Sequence, residues 1–145
     1  MAESLSTIGG NMRKKILVCF FVCLAVAGCN KDAEINTSMN ELNAFTTELI
    51  QKVDSAQGSV EGIDAAQRFF ESKKAEMEKK LSVLKGARGF QVSDEAKKSM
   101  TESLTKNVTD VASLQLKYIG RSMKDPSYKS KLEKLVKDYQ SLLTS

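Results

Sequence analysis

Ser38-Met-Asn-Glu-Leu-Asn-Ala-Phe-Thr-Thr-Glu-Leu-Ile-Gln-Lys-Val53 sets the class of the chain. Met39, Leu42, Leu49 and Val53 recur at three- and four-residue spacing, and Phe45 and Ile50 widen the same face. That periodicity is helical, and one apolar stripe on a polar helix must be buried against something. Ser38 followed three residues later by Glu41 has the spacing of a capping box, so the reading predicts a helix of about 19 residues opening at Ser38 and stopping at Gln57-Gly58-Ser59.

Downstream the pattern repeats three times. A second helix is expected to start between Ser59 and Asp64, with Ile63, Ala66, Phe70, Met77, Leu81 and Leu84 as its stripe and Gly86 at its end. A third begins after Ser93, with Asp94 and Glu95 where a helix N-terminus favours negative charge. It carries Ala96, Met100, Leu104, Val108, Val111, Leu114 or Gln115, and Tyr118 before Gly120 weakens it. Asp125-Pro126 marks the start of the fourth: Asp as cap, and the one proline of the chain where no amide is needed. Its stripe is Tyr128, Leu132, Leu135, Val136, Tyr139, Leu142 and Leu143. The expected fold is all-α, an antiparallel up-down four-helix bundle spanning 38–145.

A second shape stays open. Ile35, Leu42, Leu49, Ala56, Ile63, Phe70, Met77 and Leu84 are apolar at steps of seven, straight through Gly58 and Gly62. A strict heptad suits a supercoiled helix, so the alternative is an elongated helical hairpin with the first two helices continuous.

Upstream, Arg13, Lys14 and Lys15 precede an uncharged run from Ile16 to Ala27, too short for the roughly 20 apolar residues of a membrane span. A buried core segment would not explain three cations at one end and a small-small-Cys triplet at the other; an uncleaved anchor or a cut elsewhere is the remaining competitor. Val26-Ala27-Gly28-Cys29 resembles the lipobox of bacterial lipoprotein precursors. The resemblance implies a signal peptide over 1–28, within which 1–11 reads as a start-site extension ahead of Met12. It also implies a lipid-modified Cys29 as the new N-terminus, and a polar tether over 29–37. The residue after the acylated cysteine is Asn30 rather than aspartate, which in that class implies the periplasmic face of the outer membrane. No family is recognised for the helical domain.

Composition narrows the function. Removing residues 1–28 takes Glu3, Arg13, Lys14 and Lys15, so the charge goes from 22 minus 18 to 19 minus 17, or +2. Near neutrality with interleaved signs leaves no footprint for nucleic acid. Cys19 and Cys23 lie in the signal, so the mature chain has one cysteine and no disulfide framework. There is no histidine, which removes the commonest general base and metal ligand, and Gly86-Ala87-Arg88-Gly89 lacks the spacing of a phosphate loop. Glu71, Glu76 and Glu78 alternate with Lys73, Lys74, Lys79 and Lys80 as a solvated helix face does. We therefore expect no catalytic residues, no metal, no cofactor beyond the covalent lipid, and no enzyme.

The expectation is a membrane-anchored envelope lipoprotein acting as an interaction or accessory module with an envelope protein partner, similar in size and helicity to pilotins. The alternative is a carrier of a small apolar ligand in the bundle core. Arg88 and Phe90, between flexible glycines, form the candidate partner-contact loop; an ordinary turn that tucks Phe90 and Val92 under the helix ends is the competing reading. Lys124, Lys129, Lys131, Lys134 and Lys137 on the fourth helix, and Met39, Met77 and Met100 around a pliable cavity, are weaker candidates. A solubilising face and ordinary core filling, respectively, compete with them.

Overall fold

The computed structural model describes residues 11–86 and 92–144, with side chains from residue 31 onward except at 83, 85 and 86. Among them are α1 (Asn11–Ser55), α2 (Val60–Gly86), α3 (Asp94–Lys117), the single turn α4 (Ile119–Ser122) and α5 (Pro126–Thr144). The helix starts follow local chemistry. Ser93 Oγ accepts from Ala96 N–H at 3.1 Å, and Asp125 Oδ1 accepts from the Ser127 and Tyr128 amides at 2.9 and 3.0 Å. Ser59 Oγ takes the Gly62 amide at 3.3 Å, so α2 begins at the early edge of its expected window.

The all-α bundle is the fold, and the continuous-helix alternative is overturned at Gln57-Gly58. Their φ values are +50° and +63°, both left-handed. Gly58 N–H donates to Val53 O at 2.9 Å and Gln57 N–H to Asp54 O at 2.8 Å, the paired 6→1 and 5→2 bonds of a Schellman ending. Chain direction then reverses: Glu41 pairs with Lys80, and Lys52 lies over the Phe69 ring further along. The heptad survives as a core-facing stripe on two antiparallel helices. Gly62 serves that corner, since a Cβ there would stand 2.8 Å from Ala56 Cβ.

A second correction concerns the start of the domain. Ser38 is no cap: it lies inside α1, 7 % exposed, and Glu41 reaches Lys80 at 2.8 Å instead of folding back. Residues 30–37, expected as an extended tether, are helical, and Ile35 is in the core. Burying Ile35 favours extending the helix, because its position one heptad before Leu42 puts it on the stripe only if the helix continues. Asp32 Oδ1 also receives the Ser93 N–H at 3.1 Å, and hydrogen bonding with the Ser93 side chain, then with its amide, holds the carboxyl below the usual carboxylate range.

Around the bundle, α1 packs on α2 and α3, and α5 packs on α2 and α3; α1 and α5, like α2 and α3, face each other across the diagonal. Sequential helices alternate in direction as expected. Two side-by-side pairs are nevertheless parallel. Asp32 meets Ser93, Asn43 meets Asn107 and Asp54 meets Lys117, so α1 and α3 advance together. Lys131 on Asp64 and Lys134 on Glu71 show the same for α5 and α2. The link between α2 and α3 thus joins diagonal helices.

The core runs from Ile35 to Leu142 and holds the expected stripes, with Phe45 stacked near Phe69 and Tyr139. Besides Ser38, two more polar residues outside those stripes are buried. Thr46, 1 % exposed, donates to Leu42 O at 2.8 Å, so its lone pairs receive the Tyr139 hydroxyl from α5. Asn107, 3 % exposed, donates through Nδ2 to Asn43 Oδ1 at 2.6 Å; Val108, expected in the core, is only half-buried. A buried Asn107 bonded to a half-buried Asn43 between parallel helices favours one register, since slipping would leave the Asn107 amide without its partner.

Candidate functional site

The bundle has two unlike ends. One gathers Asp32, Ile35 and the start of α3; the other, about 33 Å along α1 at 1.5 Å per residue, gathers the α1–α2 turn, α4 and the start of α5. Cys29 lies on α1 three residues before Asp32, so its backbone is at the first end, while its side chain is outside the described set. Arg88 and Phe90 lie outside the described residues altogether; Val92, which follows them, is buried at the same end.

The far end carries the group of exposed large apolar side chains found among the described residues. Leu116 is 74 % exposed, Ile119 53 % and Met123 81 %. Leu116 is displaced by two residues from the buried Leu114, which turns it about 200° round the helix and away from the core. Ile119 and Met123 belong to a turn that buries nothing, and a Cβ on Gly120 would meet open space. Sequence reasoning passed over this group. Its signal was present, as three apolar residues that fall off every stripe between 96 and 143.

Lys117, Arg121 and Lys124 interleave with these three, and positions 116–124 contain no carboxylate. Lys117 Nζ is held by Asp54 Oδ2 at 2.7 Å; Arg121 and Lys124 make no ion pair among the described residues.

Beneath the patch, Tyr118 braces the two chain reversals. Its ring fills the space at Gly58, its hydroxyl donates to Asp54 Oδ1 at 2.6 Å, and its edge meets the Tyr128 ring. Burial, reinforced by the Asp54 hydrogen bond, pushes the Tyr118 hydroxyl up to about 12. Burial acts to raise Asp54, but the bonds from Lys117 and Tyr118 outweigh it and hold the carboxyl below its ordinary value. A carboxylate bonded to both a phenol and an ammonium is a joint between helix ends.

The remaining candidates resolve as surface or packing. Lys131 pairs with Asp64, Lys134 with Asp138 and Glu71, and Lys129 with Glu133. Glu76 bridges Lys73 and Lys80, and Glu78 reaches Lys74. Met39 and Met77 are buried in the core and Met100 packs on it. Concavities among the described residues open to solvent; the one with an aromatic floor, between α1 and α2 at Phe45 and Phe69, is about 200 Å³. None of these concavities is an enclosed apolar chamber of the kind a carrier of a small ligand uses. Among the described residues no three His, Cys, Asp or Glu group as a metal site, and no helix is long and apolar enough to cross a membrane.

No protein family, curated protein or solved structure matches the chain.

Proposed function

We propose that the protein is a lipid-anchored, non-catalytic module of the bacterial envelope, held by acylated Cys29 and acting by contact. The observation that carries this reading is the cation–apolar–Val26-Ala27-Gly28-Cys29 order of residues 13–29. On this reading the helix of α1 sets a spacing. Cys29 is only six residues from the buried Ile35, about 9 Å of helix, so a lipid on Cys29 would stand the bundle close to the bilayer surface. Two or more acyl chains on that residue are enough for stable attachment, whereas one gives marginal binding.

The test is the intact mass of protein extracted from membranes of the producing cell. The expected species begins at Cys29 and carries a diacylglyceryl group, with or without an amide-linked chain; Cys29→Ser is expected to leave the precursor unprocessed. A mature N-terminus elsewhere, or a free Cys29 thiol, overturns the reading. Arg88 and Phe90 belong, on this proposal, to a partner contact. Crosslinking in cells tests it: Arg88→Ala and Phe90→Ala should each reduce recovery of the crosslinked partner, and unchanged recovery in both removes that loop.

A further inference from the structure

We infer that the far end of the bundle is a peripheral membrane-binding surface, in which Leu116, Ile119 and Met123 enter an anionic bilayer while Arg121 and Lys124 meet its headgroups. This goes beyond the anchor and stands on different residues.

Three observations lead to a bilayer. The apolar side chains protrude from a chain reversal, and a fluid surface needs no complementary shape to receive them. Over 116–124 there are three cations and no carboxylate; Asp54 neutralises Lys117, and Arg121 and Lys124 are without ion pairs among the described residues. Anionic lipid supplies the missing counter-charge at a density that a scattering of protein carboxylates does not. A second copy of the chain is the poorer occupant, because a two-fold contact through this patch would set Arg121 and Lys124 against their own equivalents.

The geometry assigns the patch a role distinct from the lipid. Cys29 and Tyr118 are separated by most of the length of α1, so a chain attached at both points lies along the membrane rather than standing on it. Attachment at one end raises the effective concentration of the other, so a weak patch suffices in the anchored protein.

The experiment uses residues 30–145, which contain the whole core from Ile35 to Leu142 and no lipid, so its outcome is independent of Cys29. Co-flotation is measured with vesicles of phosphatidylethanolamine and phosphatidylglycerol, and with vesicles of phosphatidylethanolamine and phosphatidylcholine. We expect binding to the first and at least tenfold weaker binding to the second, with added salt weakening the first. Arg121→Gln with Lys124→Gln should cost about fivefold per cation. Leu116→Ser with Ile119→Ser and Met123→Ser should abolish flotation while leaving the helical circular dichroism unchanged. The chain has no tryptophan, so Leu116→Trp provides a single reporter whose emission should shift to the blue on anionic vesicles only. Absence of flotation with anionic vesicles overturns the proposal, as does flotation that the serine variant retains. Self-association that the serine variant abolishes, without vesicle binding, overturns it in favour of a second copy.

Discussion

The hydroxyl of Tyr139 donates to Thr46 Oγ1 across the diagonal of the bundle, and Thr46 passes its own proton to Leu42 O. α1 and α5 share no face, so this chain of bonds ties together two helices that otherwise meet only through core side chains. Removing one partner is not equivalent to removing the other. Thr46→Val leaves a buried phenol without an acceptor and should cost about 1–3 kcal/mol; Tyr139→Phe leaves Thr46 still bonded to Leu42 O and should cost about 0.5–1.5 kcal/mol. The double variant should be more stable than Thr46→Val alone. Urea unfolding midpoints of the four proteins check the cycle, and strictly additive losses would contradict it.

The same hydroxyl sets an alkaline limit. Burial pushes Tyr139 up to about 12, above the ordinary 10.0 of an unfolded tyrosine, and the Thr46 bond only partly opposes it. Between those values the unfolded chain has released its proton and the folded chain has not. The associated stability is therefore complete below about pH 10 and declines as pH rises toward 12. Stability followed by urea unfolding should fall over that window in the parent and fall less in Tyr139→Phe, and phenolate absorbance should show one fewer late-titrating tyrosine in the variant, with Tyr118 remaining.

Gly58 and Gly120 should respond oppositely to alanine. At Gly58 the backbone is left-handed and a Cβ would overlap the Tyr118 ring, so Gly58→Ala combines strain of about 1–3 kcal/mol with loss of the Tyr118–Asp54 joint. At Gly120, helical and open, alanine should add about 0.5–1 kcal/mol. Thermal unfolding of the two variants should place them on opposite sides of the parent.

Acid should act through Asp54 and Asp138. Burial opposes the shift of each, but hydrogen bonds from Lys117 and Tyr118 to Asp54, and from Lys134 and Gln67 to Asp138, hold both carboxyls below the ordinary 3.8. Their contribution is present above pH 3.8 and is lost as pH falls through the lower folded values. Asp54→Asn with Asp138→Asn should be less stable than the parent at neutral pH and show a shallower decline below pH 3.8, read from chemical unfolding at each pH.

Helix identity, most of the core and the starts of α3 and α5 are legible in the sequence, because they depend on neighbours within a turn: the Ser93 and Asp125 caps, Pro126, and stripes whose spacing is helical. The Ser38–Glu41 pattern misleads for the complementary reason. A capping box is a local option, and burial of Ile35 together with the Asp32–Ser93 bond outweighs it. The Leu116, Ile119 and Met123 patch escapes a sequence reading because stripes reveal which apolar residues fit a core and not which ones fail to.

From its residues alone this chain is determined as helical and free of histidine, since those are matters of composition and of backbone preference over a few positions. Tertiary structure alone decided the lateral order, with α3 beside α1 and diagonal to α2, and it alone placed Thr46 and Asn107 inside. A polar side chain becomes a core residue only when a partner on another helix satisfies it, and Tyr139 and Asn43 are 93 and 64 residues away in the sequence.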